Sequence, residues 1–291
     1  MTVAAKVYTR KKINPTTPSQ RFLSYAIKDY EDNSKREKSL VKSIRRSFGR
    51  DNKGRITSRG RSSGFSKIAY RSVSFGVKFT EIQEWYEVVS VQYDPFRNCP
   101  IVLAKYLNNE DKVSEVKYFI RAEGVDVGSK FYVSKDFSEN IAGSFVKIGS
   151  VPQGLSVFCV EMKIGKGGQI ARSAGSFVKV SGNDGDYSIV VLPSGEQRKI
   201  HKECLCAIGK VSMDDFKNKS DGKAGRSRWI GRKPIVRGVA MNPVDHPHGG
   251  GEGKTSGGRN PTTPWGKTNK GTLTRKNKRS SRFIIKSRKN K

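Results

Sequence analysis

Two of the chain's three histidines lie in one short segment together with two acidic residues. Residues 242–253 contain Asp245, His246, His248 and Glu252. Imidazoles and carboxylates bind metal ions in proteins, and they transfer protons in enzymes. One hypothesis is therefore a metal-dependent enzyme that uses these four residues.

The spacing within this segment argues against that hypothesis. Zincin motifs place two histidines four residues apart on a helix, whereas His246 and His248 are two residues apart. Pro243, Pro247 and the glycine run 249–251 exclude a helix here. We predict instead a tightly folded, extended loop whose imidazoles contact nucleic-acid bases or phosphates. Its two acids could hold Mg²⁺-bound water at a phosphate, but we expect no protein metal site and no cofactor.

The four cysteines do not provide a better metal site. Cys204 and Cys206 are too close together for a zinc knuckle. Four cysteines among 291 residues are also too few for a disulfide framework, which favours a reducing compartment. We predict that Cys204 and Cys206 are buried structural residues.

Two glycine-rich segments have the composition of loops that contact phosphates. In residues 51–61 basic side chains alternate with glycine and small polar residues, although a flexible linker would have the same composition. Residues 165–175 lack the spacing of a nucleotide-hydrolysing phosphate loop. We predict that this second loop presents Lys166, Gln169 and Arg172 to RNA, with an ordinary hairpin loop as the alternative.

Two tryptophans lie in basic, glycine-rich surroundings. Trp229 follows Arg226 and Arg228, and Trp265 precedes Lys267. Aromatic faces beside cations suit stacking on exposed bases. For Trp229 the alternative is an anchor that packs against a folded body.

The charge of the chain explains why these groups point to nucleic acid. Lysine and arginine number 57 against 26 acids, a net charge of +31, and this excess requires a polyanionic partner. Residues 1–75 carry +14, residues 76–210 carry +1 and residues 211–291 carry +16. Few bulky apolar residues accompany the charge, and no apolar run is long enough for a membrane span. We therefore expect two nucleic-acid-binding arms and no membrane partner.

The nearly neutral middle of the chain has the pattern of short strands. The strand-like runs are residues 86–93, 101–106, 116–120, 144–148, 156–162, 177–180, 187–192 and 197–200. The one helix predicted is Ser34–Arg46, on the spacing of Leu40, Val41 and Ile44. Short strands separated by turns predict a mostly β protein built from two small β-barrels. A glycine- and proline-containing segment near residue 150 would separate the barrels.

Taken together, several motifs resemble the ribosomal protein L2 family of the large ribosomal subunit, in its bacterial or organellar type. They are Gly238–Gly253, Pro261–Gly266, Lys276–Arg279, Gly165–Gly175, Tyr93–Arg97 and Gly222–Gly225 followed by Arg228-Trp229. The resemblance spans roughly residues 50–285.

The resemblance implies an oligonucleotide-binding-type barrel followed by an SH3-like barrel, with both basic extensions threading into large-subunit ribosomal RNA. The corresponding division is an arm at 1–75, barrels at 76–150 and 151–225, and a glycine-rich extension at 226–291. It also implies a structural role near the peptidyl transferase centre and in subunit association, with His246 supporting peptidyl transfer. Other ribosomal proteins and small-subunit components are the implied neighbours.

One departure from the family concerns the segment before Lys67. Where the family has a glycine run and a histidine, this chain has Arg61-Ser62-Ser63-Gly64-Phe65-Ser66, so this contact must be rebuilt around Phe65. Residues 1–28 contain six basic and no acidic side chains, as a transit peptide does. With the drift from the family pattern, this favours a mitochondrial ribosome, with bacterial cytoplasm and plastid as alternatives.

We therefore predict a non-enzymatic, RNA-binding constituent of the large ribosomal subunit. The rival is a metal-dependent nucleic-acid-processing enzyme that uses Asp245, His246, His248 and Glu252, and a third possibility is a nonspecific nucleic-acid compaction protein. The residues expected to bind RNA are Arg55, Arg59, Arg61, Lys67, Arg71, Lys166, Gln169, Arg172, Lys223, Arg226, Arg228, Trp229, Arg237, Asn242, His246, His248, Lys254, Trp265, Lys276, Lys278 and Arg279.

Overall fold

A computed structural model describes residues 11–12, 14–30, 36–65, 69–75, 84–107, 115–272 and 274–288. These residues are mostly β, which confirms the predicted fold class. The strands are β1 (Lys11–Lys12), β2 (Leu23–Tyr25), β3 (Val41–Ser43), β4 (Ala69–Arg71), β5 (Glu84–Gln92), β6 (Ile101–Tyr106), β7 (Val116–Ile120), β8 (Lys130–Val133), β9 (Phe145–Lys147), β10 (Ser156–Phe158), β11 (Val160–Glu161), β12 (Gly168–Ile170), β13 (Val178–Asp184), β14 (Tyr187–Val191), β15 (Gln197–His201), β16 (Leu205–Ile208), β17 (Ser220–Asp221) and β18 (Ile284–Lys286).

Helical structure in the described residues is short. One α-helix, α1, spans Ala224–Trp229. The 3-10 turns are Pro18–Gln20, Lys38–Leu40, Ile148–Ser150, Asp214–Asn218, Gly238–Ala240 and Ser281–Phe283. No helix of the described residues has the length and apolar character needed to cross a membrane.

The chain divides into two compact units. One, the sheet unit, comprises residues up to 45, 67–223 and 281–291. The other, the loop unit, comprises Arg46–Ser66 and Ala224–Ser280. Each unit therefore combines stretches that are far apart in the sequence.

The sheet unit contains an eleven-stranded sheet in the order β18-β15-β14-β13-β10-β16-β9-β8-β5-β6-β7. Its pairings are antiparallel except for one parallel contact between Val133 of β8 and Phe145 of β9. This contact joins a meander of β5, β6 and β7 to the strands that follow. Among the described residues the pairing thus runs as one open order and closes no barrel.

Two hydrophobic cores lie within the sheet unit. The first is rich in aromatic residues, and Tyr86, Phe119, Phe131 and Phe145 are at most 2% exposed. Their rings lie in a chain of contacts with centroids 5.2–5.6 Å apart. The second core is aliphatic and consists largely of valines and isoleucines. These β-branched and aromatic side chains fit pleated, half-buried surfaces, which explains why the sequence pattern located the strands well.

Parts of the basic N-terminal segment are joined to the sheet unit. Strand β2 pairs with both β1 and β17. Arg121, 2% exposed, forms ion pairs with Asp29 at 2.8 Å and Asp126 at 2.7 Å, and its Nε donates to the Val125 carbonyl. The described part of this segment is therefore held to the sheet unit by strand pairing and by the Asp29–Arg121 ion pair.

The helix predicted over Ser34–Arg46 is wrong for the residues that the structure describes. A single 3-10 turn at Lys38–Leu40 leads directly into β3, which pairs with β4. The β-branched Val41 lies opposite Arg71, and Leu40 packs against the first core. Pairing with β4 and core contact outweigh the weak helical spacing.

Candidate nucleic-acid interface

The loop unit is the most strongly charged part of the molecule. Its 78 residues carry 19 basic and 3 acidic side chains, a net charge of +16. The remaining 213 residues carry 38 and 23, a net charge of +15. Net positive charge per residue is thus about three times higher in the loop unit.

Backbone contacts between two strand-like segments form the frame of the loop unit. Arg61 and Arg232 face each other in an antiparallel bridge. Flanking hydrogen bonds are Lys233 N to Gly60 O at 3.0 Å, Ser62 N to Gly231 O at 2.9 Å and Phe65 N to Trp229 O at 2.7 Å. Because these bonds involve backbone atoms, the segments stay together whichever way the exposed basic side chains point.

Glycine is required where the two segments cross. Gly64 has φ of +56°, and a Cβ there would lie 2.5 Å from the Gly231 nitrogen and 2.6 Å from the Trp229 carbonyl oxygen. Gly231 has φ of +86° and ends helix α1, with its own amide bonded to Arg228 O and the Arg232 amide bonded to Ser227 O. This is a Schellman cap, which turns the chain after Trp229 back along residues 61–65.

Two cavities open beside this crossing. The first, which we call the basic cavity, has a volume of about 460 Å³, and its charged lining residues are Arg228, Arg232 and Lys233. The second, the aromatic cavity, has a volume of about 410 Å³ and is lined by Phe65, Trp229 and the serines at 62 and 63. Arg228 and Lys233 line both cavities, so the two are adjacent.

The arginine-rich segment 51–61 is a folded turn. The Asp51 carboxylate accepts hydrogen bonds from the backbone amides of Lys53 and Arg55 at 2.9 and 2.8 Å. Arg55, Arg59 and Arg61 are all exposed. The Arg59 guanidinium lies 5.7 Å from the centroid of Trp265, a ring that is 72% exposed. The predicted residues Arg59 and Trp265 are thus brought together.

His248 is fixed inside the histidine loop through both ring nitrogens. Nδ1 lies 2.9 Å from the Gly257 carbonyl oxygen, and Nε2 accepts a hydrogen bond from the Thr262 amide at 2.9 Å. The ring is therefore the neutral tautomer that carries its proton on Nδ1. Since both nitrogens bond to the protein, this side chain closes residues 248–262 into a loop.

His246 lies beside His248 and is 8% exposed. Its Nδ1 accepts the His248 backbone amide at 3.0 Å, and the two rings stack with centroids 5.1 Å apart. The proton of the neutral ring is therefore on Nε2. A Cβ at Gly238 would collide with this ring, so the glycine is required for His246 to occupy its position.

The loop geometry does not support the metal-dependent enzyme. Asp245 and Glu252 are exposed, whereas the histidine nitrogens described above bond to backbone groups. Among the described residues no three histidine, cysteine or acidic side chains converge as a metal-binding group. Residues 242–253 form the predicted tightly folded loop. Its contacts with RNA stay a prediction.

The second glycine-rich loop, 165–175, belongs to the sheet unit and begins at a buried carboxylate. Glu161, 1% exposed, accepts the amides of Gly167 at 2.7 Å and Leu205 at 3.1 Å. Lys166, Gln169 and Arg172 are exposed on this loop. Arg172 also lies over the ring of Phe75, at 4.5 Å from the centroid.

Other predicted residues have different environments. Arg71 is 7% exposed and donates to the Tyr93 carbonyl, so its side chain supports the fold of the sheet unit. Lys67 lies outside the described residues. Arg226 is half-buried, and its guanidinium lies 5.8 Å from the centroid of the Trp229 ring. The exposed residues are Lys223 in the sheet unit and Arg237, Asn242, Lys254, Lys276, Lys278 and Arg279 in the loop unit.

Sequence reasoning missed two residues that line the basic cavity, Arg232 and Lys233. Both are exposed and follow directly on Gly231. The available signal was the run Trp-Ile-Gly-Arg-Lys-Pro at 229–234, in which a glycine cap is followed by two cations and a proline.

Cys204 and Cys206 are buried, as predicted, and so are Cys99 and Cys159; all four are free thiols. Burial raises the pKa of Cys99 and of Cys204 to about 11, and that of Cys159 to about 12. The thiols therefore stay protonated at neutral pH, which is consistent with structural residues in a core.

Comparison with known proteins places nearly the whole chain in one family. Residues 37–133 match the model "Ribosomal Proteins L2, RNA binding N-terminal domain", and residues 141–266 match "Ribosomal Proteins L2, C-terminal domain". The large ribosomal subunit protein uL2 of Rickettsia canadensis is 49% identical over 279 residues, which cover 96% of this chain and 99% of that protein. The corresponding protein of Nitrobacter winogradskyi is 47% identical over 278 residues, covering 96% and 97%. The chain therefore belongs to the ribosomal protein L2 family and is of its bacterial type.

Proposed function

We propose that this protein is a structural, non-enzymatic constituent of the large ribosomal subunit that binds large-subunit ribosomal RNA. The observation that carries the proposal is the loop unit, with a net charge of +16 on 78 residues and a frame of backbone contacts at glycines. A free protein with this charge repels itself, whereas RNA phosphates neutralise it.

The exposed cations supply the RNA-binding surface of the proposal. In the loop unit they are Arg55, Arg59, Arg61, Arg228, Arg237, Lys254, Lys276, Lys278 and Arg279, with half-buried Arg226 beside them. In the sheet unit they are Lys166, Arg172 and Lys223, with Gln169 as a neutral neighbour. Arginine and lysine contacts to phosphate orient a protein on RNA, and exposed aromatic rings add base stacking.

The histidine loop has a supporting role in this proposal. The ring of His246 is held by the His248 amide and by contact with Gly238, and its Nε2 proton is available to a neighbouring RNA group. We expect that ribosomes carrying His246→Ala assemble but form peptide bonds more slowly than wild-type ribosomes in a puromycin reaction. An unchanged rate would remove His246 from the peptidyl transferase proposal.

We propose that small-subunit components at the subunit interface and other ribosomal proteins are partners. We propose a mitochondrial ribosome as the location, on the strength of the six basic and no acidic side chains in residues 1–28. The relatives named above are bacterial, so bacterial cytoplasm is the alternative location. Cell fractionation distinguishes the two locations.

RNA binding by the purified full chain tests the proposal. We expect the logarithm of the affinity for large-subunit ribosomal RNA to fall linearly with the logarithm of salt concentration, and we expect preference over an unrelated RNA of equal length. The triple variant Arg226→Ala, Arg228→Ala, Arg237→Ala should weaken binding roughly tenfold or more. It should also reduce the steepness of the salt dependence by about 0.7–0.9 for each of the three cations removed.

A matched variant controls for charge alone. Lys130, Lys179 and Lys219 are exposed in the sheet unit, and replacing all three with alanine removes the same charge. This control should reduce affinity less than the arginine triple. Equal losses in both variants, without preference for ribosomal RNA, would favour a nonspecific compaction protein instead.

A further inference from the structure

The aromatic and basic cavities of the loop unit have complementary chemistry for one molecule. The aromatic cavity offers two exposed aromatic side chains, since Phe65 is 58% and Trp229 is 43% exposed. The basic cavity next to it offers three cations, Arg228, Arg232 and Lys233. Each volume lies within the roughly 300–1,000 Å³ range of small-ligand sites.

The two rings pack against each other at a tilt. Their centroids are 5.9 Å apart and the planes are inclined by 50°, so the rings do not stack face to face with each other. The Arg226 guanidinium lies 5.8 Å from the centroid of Trp229. A planar aromatic guest can therefore stack on an exposed ring face in a positively charged setting.

The backbone that carries the two rings is preorganised. Phe65 N donates to Trp229 O at 2.7 Å, and Arg46 Nη1 donates to the Phe65 carbonyl oxygen at 2.7 Å. Gly64 and Gly231 allow the close approach described above. Because the backbone on both sides is fixed, little ordering remains to be completed when a ligand enters.

We propose that this double cavity binds one unpaired nucleotide of the RNA. The base stacks in the aromatic cavity against Phe65 and Trp229, and its phosphate lies in the basic cavity between Arg228, Arg232 and Lys233. A duplex cannot supply such a base, because its bases are stacked and paired, whereas a bulge or loop can. This inference rests on the proposed function and names the RNA element that the surface recognises.

Two RNA hairpins that differ by a single bulged adenine test the inference. Both are titrated with the full-length chain at fixed salt and followed by fluorescence anisotropy. The wild-type chain should prefer the bulged hairpin by roughly tenfold, the size expected for one stacked base. Phe65→Ala and Trp229→Ala should each bring the preference close to one while affinity for the perfect hairpin stays within about twofold.

Four further variants separate stacking from folding and from charge. Phe65→Tyr retains a ring and should retain the preference, whereas Phe65→Leu fills the space without a ring and should lose most of it. Arg228→Ala should weaken binding of the bulged hairpin more than that of the perfect one. Lys267→Ala, which removes an exposed cation of the same unit outside both cavities, should weaken both equally.

The outcomes distinguish this inference from the function on which it rests. Equal binding of both hairpins by the wild-type chain, with a steep salt dependence, would overturn the nucleotide site and leave RNA binding intact. Failure to bind either hairpin or ribosomal RNA would overturn both. Displacement of the bulged hairpin by an equal concentration of free AMP would replace the RNA with a free nucleotide as ligand and so would also overturn the proposal.

Discussion

At the scale of single residues, the two histidines of one loop have different environments. Residue type and glycine-rich context predict that both contact RNA. The structure uses both nitrogens of His248 for backbone groups that are far along the chain, Gly257 and Thr262. Within the part of the chain that the structure describes, only one nitrogen of His246 is used in this way, by the His248 amide. Sequence spacing could not reveal this difference, because it depends on where residues 257–262 return.

Replacing His248 tests its role in closing the loop. We expect His248→Phe, which keeps a ring of similar size, to leave the Thr262 amide without its acceptor. The loss of a hydrogen bond and of a fixed loop should speed hydrogen exchange at the Thr262 amide by roughly tenfold, since a net hydrogen bond contributes about 0.5–1.5 kcal/mol.

The amide of Gly54 provides an internal reference for this measurement, because it bonds to the Asp51 carbonyl in a separate turn. Its exchange should be the same in both proteins. Unchanged protection of Thr262 in His248→Phe would mean that the loop is held by other contacts.

At the scale of elements, the strand predictions succeeded where side chains alternate or are strongly β-branched. Strands β6 and β7 have the predicted bounds, and β5 differs at its ends. Strands β8 and β16 were missed. In β16 all four residues are buried, and in β8 the last three are, so neither shows the alternation that identifies a half-buried strand.

The crossing of residues 61–65 and 229–233 depends on a glycine at position 64. A Cβ at Gly64 would lie 2.5 Å from a backbone nitrogen, which no side-chain movement relieves. We expect Gly64→Ala to separate the segments and to lower the free energy of unfolding of the loop unit by about 2–4 kcal/mol. Denaturant unfolding followed by Trp229 fluorescence measures this change, in a background with Trp85→Phe and Trp265→Phe.

Gly54 supplies the matched control. It has φ of +78°, in the same left-handed region, but a Cβ there meets nothing within 4 Å. Gly54→Ala should therefore cost only the conformational strain of about 1–2 kcal/mol. Equal costs for the two variants would show that close approach at Gly64 does not stabilise the crossing.

At the scale of the whole molecule, the charge has a three-dimensional distribution that a linear division only approximates. The sequence assigned the excess to two ends of the chain, and the structure gathers residues 46–66 with 224–280 into one unit of net charge +16. Composition predicted the polyanion, but it could not show that a segment near residue 60 pairs with one near residue 232, because this pairing depends on two glycines. The division into barrels at residue 150 stays a prediction.

If this chain is built into large ribosomal subunits, it sediments with them. A lysate of cells that carry the tagged full-length chain is separated on a sucrose gradient at low magnesium, where the two subunits part. We expect the chain to sediment with the large subunit and to be absent from the small-subunit peak. Recovery only at the top of the gradient, in the free soluble pool, would contradict it.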